Sequence, residues 1–335
     1  MKNILGGIGV FIMMTVSVCG QEKVANWVKV TDNAGWPPRD SQGEVVYQDK
    51  MWILGGWFDS SKPCPRDVWN TPDGKTWNLV QKTAPWKHSD LPMTLVFKDR
   101  MWFMGGWYNG RLPDHAPTND VWCSTDGVKW EQATPSAGWS PRLAAGAVVF
   151  KDKMWILGGS ENYLFGDERS LKNDVWYSSD GREWTLATTN AGWAPRAFHQ
   201  AVVYDNKIWV LGGGNYSPKC HARNDVWCSA DGVNWTKVTE AAPWPPRIWF
   251  SSVVYRDRLW VLGGGSGKST PNFGDVWYSK DGKNWTQLKS EVVWKERHEH
   301  STFVFQDKIW VSGGYPPLHN DVWSLYIPAD WFGNE

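Results

Sequence analysis

One pattern occurs six times along this chain and limits what the chain can fold into. Its clearest copy is residues 193–239, which read Trp-x-x-Arg, an apolar run, an Asp-centred turn and a second apolar run ending in Gly-Gly. A polar loop, Asp-Val-Trp, an Asp-Gly turn and a last strand with another Trp complete the unit. A repeat of roughly fifty residues is typical of propellers and solenoids, whose units bury their apolar faces only against neighbouring units.

The sixth unit is incomplete at the C-terminus, and its missing piece is found at the N-terminus. The Gly-Gly pairs begin at Gly55, Gly105, Gly158, Gly212, Gly263 and Gly313. The Asp-Val-Trp triplets begin at Asp67, Asp120, Asp174, Asp225, Asp275 and Asp321, but Asp-Gly turns follow only the first five. Residues 26–31 (Asn-Trp-Val-Lys-Val-Thr) match the last strand of the fourth unit, residues 234–239. We therefore predict that the N-terminal strand completes the last unit.

Each unit is predicted to contain four short antiparallel strands, named a to d. In the fourth unit, strand a is residues 200–204 and strand b is residues 207–211, and both are apolar on two faces. Two-residue turns such as Gln48-Asp49 and the Asp-Gly pairs indicate hairpins. Sheets that are apolar on both faces are stable when they pack radially. The sequence thus predicts an all-β, six-bladed propeller of four antiparallel strands per blade, closed by the N-terminal strand, which removes an open edge.

The unit resembles the kelch repeat, in which a Gly-Gly pair ends strand b and an aromatic residue follows further on. The resemblance covers nearly all of the chain after residue 20, although these units have Trp in strand b where many kelch units have Tyr. It implies a kelch-type propeller similar to the central domain of galactose oxidase. The copper site of that enzyme requires a Tyr–Cys crosslink with Tyr and His ligands, and no such set is found in this sequence. The turn around Asp231 also resembles the Asp-box of sialidases but is one residue shorter, and we interpret it as a turn only.

The first twenty residues differ from the repeats. Lys2 precedes an apolar run, residues 4–18, and small residues follow up to Gly20. This pattern is typical of a secretory signal peptide. The alternative is a lipoprotein signal acylated at Cys19, to which Val18 is a poor fit. Both predict an exported protein with a signal at 1–20, a propeller at 21–327 and a short tail at 328–335.

Charge and cysteine content narrow the classes of partner. The chain has 35 acidic and 35 basic residues, so nothing draws it as a whole to nucleic acid or to an anionic membrane. No transmembrane segment is predicted after the signal. Four cysteines remain when Cys19 of the signal is set aside, and an oxidising compartment would permit them to form disulfides in three alternative pairings. Cys123 and Cys228 occupy equivalent positions in units that are separated by a whole unit, so these two are not expected to pair. The four are Cys64, Cys123, Cys220 and Cys228.

One face of the propeller carries the variable loops. The b–c and d–a connections emerge on this face, and the b–c loops vary in length and content, which is where function tends to lie on a repeat scaffold. Most of the 28 tryptophans recur at fixed places, which predicts packing between blades. The aromatic residues that depart from this pattern on the loop face are Trp57, Trp107, Trp249 and Tyr315. We interpret them as platforms for sugar rings; the alternative is that they cover a hydrophobic rim.

Arginines and non-repeated polar residues lie beside these aromatic residues. Five arginines follow the entry tryptophans by three residues: Arg39, Arg142, Arg196, Arg247 and Arg297. They predict a basic ring suited to a carboxylate or another anion, or else side chains that bind neighbouring backbone carbonyls. The non-repeated polar residues are Asp40, Gln42, Asp90, His199, His298, Glu299 and His300. Two histidines with Glu299 suit a metal or acid–base site, but hydrogen-bonded structural histidines are the alternative, and no metal or cofactor is predicted.

Three functions are compatible with these residues. The first is an exported binding protein that uses the loop face for a carbohydrate or another polar ligand. The second is an enzyme on an acidic sugar, a mutarotase, epimerase or glycosidase-like hydrolase, with the arginines on the substrate carboxylate and Asp40, Asp90, Glu299 or a histidine as acid or base. The third is a protein–protein interaction scaffold, the commonest use of kelch propellers. Fold alone does not decide between them.

Overall fold

Six four-stranded antiparallel sheets make up this computed structural model, which describes residues 24–162, 168–217, 219–267 and 271–333. One short 3₁₀ helix, Glu168–Ser170, interrupts the strands of the described part. The predicted all-β, six-bladed propeller is confirmed. The predicted signal segment, residues 1–20, lies outside the described residues. Within those residues, no helix has the length and apolar character needed to cross a membrane.

The strands of the first three blades follow one another in chain order. Strand β1 (Val28–Thr31) precedes them and belongs to the sixth blade. The first blade contains β2 (Gly43–Tyr47), β3 (Lys50–Leu54), β4 (Val68–Thr71) and β5 (Asn78–Gln81). The second contains β6 (Met93–Phe97), β7 (Arg100–Met104), the small loop hairpin β8 (Trp107–Tyr108) and β9 (Ala116–Pro117), then β10 (Val121–Ser124) and β11 (Glu131–Thr134). The third contains β12 (Gly146–Phe150), β13 (Lys153–Ser160), β14 (Leu171–Ser178) and β15 (Thr185–Thr188).

The remaining blades repeat this order, and the last is closed by the N-terminus. The fourth contains β16 (Gln200–Tyr204), β17 (Lys207–Asn215), β18 (His221–Ser229) and β19 (Thr236–Thr239). The fifth contains β20 (Ser251–Val254), β21 (Leu259–Leu262), β22 (Val276–Ser279) and β23 (Thr286–Gln287). The sixth contains β24 (Ser301–Phe305), β25 (Lys308–Ser312), β26 (Val322–Leu325) and β1.

The ring closes through β1 and through the innermost strands. Strand β1 pairs antiparallel with β26, with Val28 opposite Ser324 and Lys29 opposite Trp323. Each innermost strand contacts those of both neighbouring blades, in the circular order β2, β6, β12, β16, β20, β24 and back to β2. The predicted closure by the N-terminal strand is therefore confirmed.

Apolar residues fill the spaces between blades. One core cluster, for example, joins Trp155 and Leu157 of the third blade to Ile208 and Val210 of the fourth. Within each blade, the entry tryptophan meets the strand-d tryptophan edge to face, with ring centroids 5.8–6.0 Å apart and planes at 83–90°. The pairs are Trp36–Trp77, Trp86–Trp130, Trp139–Trp184, Trp193–Trp235, Trp244–Trp285 and Trp294–Trp27. The repeated tryptophans therefore pack in the core, as predicted.

The c–d turns lock each blade against the preceding one. Gly181 has φ +75°, and a Cβ there would lie 2.0 Å from the ring of Trp102 in the second blade, so only glycine fits under that indole. The sixth blade has no such turn. Phe332 of the C-terminal tail takes its place against Trp260, with centroids 6.5 Å apart, and lies 3.6 Å from the guanidinium of Arg258. This packing role of the tail was not predicted from the sequence.

All four cysteines of the propeller are present as thiols. Cys64 and Cys123 are buried, and Cys220 and Cys228 are half-buried. None of the three pairings that an oxidising compartment permits is therefore formed in this structure, and Cys123 and Cys228 are not paired with each other.

Candidate functional site

A ring of residues with left-handed backbone surrounds the propeller axis where each chain segment enters its innermost strand. These residues, which we call the axial ring, have φ between 52° and 60°. They are Ser41, Leu91, Ala144, Phe198, Trp249 and Glu299. The backbone amides of five of these six residues donate to the carbonyl of the preceding blade's ring member, for example Ser41 to Glu299 at 3.1 Å and Glu299 to Trp249 at 2.8 Å. The ring thus fixes the position of one side chain per blade around the axis.

The axial ring is polar on one side and apolar on the other. The residue before each ring member bridges to the chain just after strand b, and these residues are Asp40, Asp90, Leu143, Ala197, Ile248 and His298. Blades three to five therefore supply aliphatic side chains, while blades six, one and two supply a histidine and two aspartates. Phe198 and Trp249 pack with Ala197 and Ile248 in an apolar cluster. This cluster leaves the polar side chains facing open space.

That open space is a cavity of about 500 Å³ on the loop face. Its floor contains the polar members of the axial ring and their neighbours: Asp40, Ser41, Asp90, His298 and Glu299. Its walls are aromatic, formed by Trp57, Tyr216, Trp249 and Tyr315. Trp57 and Tyr315 meet edge to face with centroids 6.5 Å apart, and Tyr315 is 40% exposed. Arg111, an exposed residue, lies at the rim.

Three carboxyl groups share the floor. The Ser41 hydroxyl donates to Glu299 at 2.9 Å and lies 3.3 Å from Asp40. Burial raises the pKa of Asp90 to about 7, and burial together with the Asp90 charge raises the pKa of Glu299 to about 8. Burial and the charges of Glu299 and Asp90 likewise raise the pKa of Asp40. Among the described residues, no lysine or arginine forms an ion pair with any of the three.

His298 lies beside these carboxyl groups as a neutral imidazole. Its Nδ1 is 2.8 Å from Oδ1 of Asn272, and because a carbonyl oxygen only accepts, Nδ1 carries the proton. Nε2 faces the Glu299 carboxylate at 4.0 Å, beyond hydrogen-bond distance. Burial lowers the pKa of His298 to about 4, and the ring stacks on Trp249 with centroids 4.8 Å apart. The lone pair of Nε2 is thus directed into the cluster of carboxyl groups.

The five predicted arginines do not face this cavity. Each is buried, and its guanidinium binds the aspartate of the Asp-Val-Trp triplet and a glycine carbonyl of the same blade. Arg196, for example, donates to the two carboxylate oxygens of Asp225 at 2.7 and 2.8 Å and to the Gly212 carbonyl at 2.8 Å. Their N–H donors are therefore used inside the blades. The prediction that they bind backbone carbonyls, and not a ligand anion, holds for Arg39, Arg142, Arg196, Arg247 and Arg297.

Two aromatic predictions have different outcomes. The interpretation of Trp107 as a platform for a sugar ring is wrong: its side chain is 1% exposed, because the loop containing the β8–β9 hairpin folds over it and its indole N–H donates to the Gly110 carbonyl at 2.8 Å. Trp249 is 6% exposed, yet one side of it lines the cavity. Of the predicted aromatic platforms, Trp57, Trp249 and Tyr315 therefore lie together around the cavity.

His199 and His300 lie deeper, where a chamber of about 120 Å³ continues along the axis. Burial lowers the pKa of both to about 3, and each packs on an entry tryptophan, Trp193 or Trp294. Gln42 lines the same chamber and donates to the Ser301 hydroxyl at 2.6 Å. Sequence reasoning missed Ser41, Tyr216, Asn272 and Glu44 in these spaces. Aligning the six units at the residue after the bridging position would have found Ser41.

The chamber contains one further carboxyl group, Glu44, which predicts a pH dependence of stability. Burial raises the pKa of Glu44 from 4.5 to about 8, and the hydrogen bond from Ser301 only partly opposes this. Below pH 4.5 the group is neutral in both states, but between that pH and about 8 the unfolded chain ionises while the folded chain keeps the proton. The free energy of unfolding is therefore expected to fall by up to a few kcal/mol across this window, and Glu44→Gln to reduce the fall.

Urea unfolding at the two ends of this pH window measures the effect. The control is Glu240→Gln, whose carboxylate is exposed and should leave the pH dependence unchanged. Equal pH dependence in the two variants would contradict the assignment to Glu44.

The closed ring of six blades, each with a Gly-Gly pair after strand b, together with a cavity on the axis, defines a kelch-type propeller. The chain belongs to the kelch-repeat family: residues 94–314, about two thirds of it, match the family model described as the KLHDC2/KLHL20/DRC7 Kelch-repeats domain. Membership in this family indicates a role in binding or as a scaffold.

Similar proteins support the same class. The chain is 32% identical over 147 residues to the Leucine-zipper-like transcriptional regulator 1 homolog of Drosophila melanogaster, covering 42% of this chain and 14% of that protein. It is 32% identical over 123 residues to Kelch repeat protein M-T8 of Myxoma virus (strain Lausanne), covering 37% of this chain and 22% of that protein. The chain therefore spans less than a quarter of either relative. A solved structure, "Structure of YjhT", is similar in fold, with a TM-score of 0.68 and 14% identity over 88% of this chain and 95% of that one.

Proposed function

We propose that this protein binds a small polyhydroxylated ligand, a sugar ring, in the axial cavity. The observation that carries the proposal is the division of one cavity into a carboxyl floor and an aromatic wall. Carboxyl groups bind hydroxyls, while the C–H faces of a sugar ring pack on indole and phenol rings. The volume, about 500 Å³, lies within the range of small-molecule sites.

The charges of the cavity favour a neutral or cationic sugar over an acidic one. The floor has three carboxyl groups, and the five arginines expected to bind a substrate carboxylate are already paired with aspartates. Among the described residues that line the cavity, the one Lys or Arg is Arg111, at the exposed rim. A ligand carboxylate on the floor would be buried without a cationic partner among the described floor residues, which disfavours binding. Export of the protein stays a proposal, based on residues 1–20 alone.

A second candidate function is catalysis on the same ligand. It is favoured by the Asp40 and Glu299 carboxyl groups, which both lie within reach of the Ser41 hydroxyl on the cavity floor. Two carboxyl groups on one substrate are the usual arrangement for acid–base work on sugars. A time course of each bound glycan by NMR, started from a freshly dissolved single anomer, separates the two functions. A binding protein changes neither the rate of anomer exchange nor the products, whereas an enzyme changes one of them.

Replacing Trp57 by Ala is expected to weaken glycan binding about tenfold or more, because it removes one aromatic wall of the cavity. A glycan array identifies ligands of the wild-type protein, and isothermal titration with the best neutral glycan measures the affinity. Tyr326→Ala is the control, since this tyrosine is 51% exposed and does not line the cavity. Absence of any glycan bound by the wild-type protein, or equal affinity in the two variants, would overturn the proposal and favour a protein partner.

A further inference from the structure

Three donor atoms at the cavity floor have the spacing of ligands to one metal ion. Asp40, His298 and Glu299 each offer one oxygen or nitrogen, and these atoms all lie within 4.8 Å of one another. Donors bonded to the same ion at about 2.1 Å are at most about 4.2 Å apart. His298 Nε2 and Glu299 Oε2 are 4.0 Å apart, so small side-chain rotations would complete the set.

The histidine is already arranged as a ligand. Metal-bound histidines usually donate the other ring N–H to a carbonyl or carboxylate, which fixes the tautomer and the ring orientation. Asn272 takes this role for His298, with Oδ1 2.8 Å from Nδ1. Stacking on Trp249 holds the ring plane. The unprotonated Nε2 therefore faces the two carboxylates with its orientation fixed from two sides.

A buried oxygen in the same cluster has no hydrogen-bond partner among the residues that the structure describes. The Glu299 side chain is 7% exposed, and its Oε1 accepts no hydrogen bond although Oε2 accepts one from Ser41. Leaving a buried acceptor without a partner is unfavourable, and more so for a carboxylate. Asp90 adds a third acidic group next to this one. A dication among these groups would satisfy the oxygen and offset their repulsion.

We propose that Asp40, Glu299 and His298 bind a divalent transition-metal ion at the floor of the axial cavity. A set of two carboxylates and one imidazole suits zinc or manganese better than calcium or magnesium, which prefer oxygen ligands alone. Three protein ligands leave further coordination positions open towards the cavity. Those positions would take two neighbouring hydroxyls of a sugar ring. This last step rests on the proposed function, whereas the metal site itself does not.

The test is titration of tag-free, chelator-treated full-length protein with zinc chloride and, separately, with manganese chloride. Calorimetry and elemental analysis of the dialysed protein are expected to give one ion per chain. Glu299→Gln and His298→Ala should each lower the affinity about tenfold or more, and Asn272→Ala should lower it without removing a ligand. His115→Ala is the matched control: this histidine is on the same face but outside the cluster, and its loss should leave the affinity unchanged.

X-ray absorption at the zinc edge gives a readout that does not depend on stability. A first shell of oxygen and nitrogen donors with the outer-shell scattering of one imidazole ring, lost in His298→Ala, would support the site. Absence of stoichiometric binding, or equal affinity in the wild type and in both ligand variants, would overturn it. If the metal binds and no glycan does, the metal site stands and the proposed function fails.

Discussion

Replacing Arg196 by Met is expected to lower the free energy of unfolding by about 3–5 kcal/mol, the cost of breaking one partner of a buried ion pair. The guanidinium is fully buried, and Asp225 keeps only 13% of its side chain exposed. Without the arginine, Asp225 loses the two hydrogen bonds that the guanidinium donates to its carboxylate and keeps the one from the indole N–H of Trp227. The Gly212 carbonyl also loses a donor. Urea unfolding followed by circular dichroism measures the change.

The control for this variant is a second arginine–carboxylate pair on the surface. Arg182 pairs with Glu131, and the two side chains are 56% and 48% exposed. Exposed pairs contribute about 0–1 kcal/mol, so Arg182→Ala should change little. A loss in Arg196→Met no larger than in Arg182→Ala would show that the repeated arginines do not hold the blades together, and would return them to consideration as ligand-binding groups.

Replacing Trp27 by Ala is expected to lower the free energy of unfolding by about 3–5 kcal/mol, as for other buried aromatic residues. Trp27 is 2% exposed and meets Trp294 edge to face with centroids 5.9 Å apart, so the variant removes an aromatic contact that, beside the pairing of β1 with β26, joins the N-terminal segment to the last blade. Thermal unfolding and limited proteolysis of the N-terminus measure it.

Val28→Ala provides the comparison from the neighbouring position. Val28 is the first residue of β1, pairs with β26, and is 61% exposed, so its loss should cost little. Similar small effects of both substitutions would contradict the closure of the ring through the packing of β1.

The repeat made the fold predictable. Each unit aligns with the others through its glycines, its Asp-Val-Trp triplet and its turns, and the two-residue turn at Gln48 and Asp49 indeed has both residues at positive φ. The closing strand was predictable because residues 26–31 copy a strand that the last unit lacks. The packing of Phe332 was not predictable. Its ring fills the place of the missing turn against Trp260 and Tyr278, but the tail around it does not resemble the sequence of that turn.

The candidate site was predictable in part. Position within a unit identified Asp40, Asp90, His298 and Glu299 as non-repeated polar residues on the loop face, and the structure brings them together. The position of a residue within its unit does not show how deeply its side chain is buried, however. Trp107 has the same place as Trp57 in its unit, yet a loop hairpin covers one and not the other. The arginines depended on a pairing partner about thirty residues away, which a local pattern does not reveal.

The cavity floor crosses the seam of the ring. Asp40 belongs to the first blade and Glu299 to the last, so the floor is complete only when the two ends of the repeat array have come together. A bound ligand or ion that contacts both side chains therefore stabilises the closed ring in addition to β1, and it opposes unfolding that starts at the termini. At a concentration one hundred times its dissociation constant, such an occupant adds about 2.7 kcal/mol to the stability of the closed state. Ligand binding and closure of the ring are thus thermodynamically linked. A substitution that weakens the pairing of the N-terminal strand should therefore weaken binding at a site that this strand does not contact.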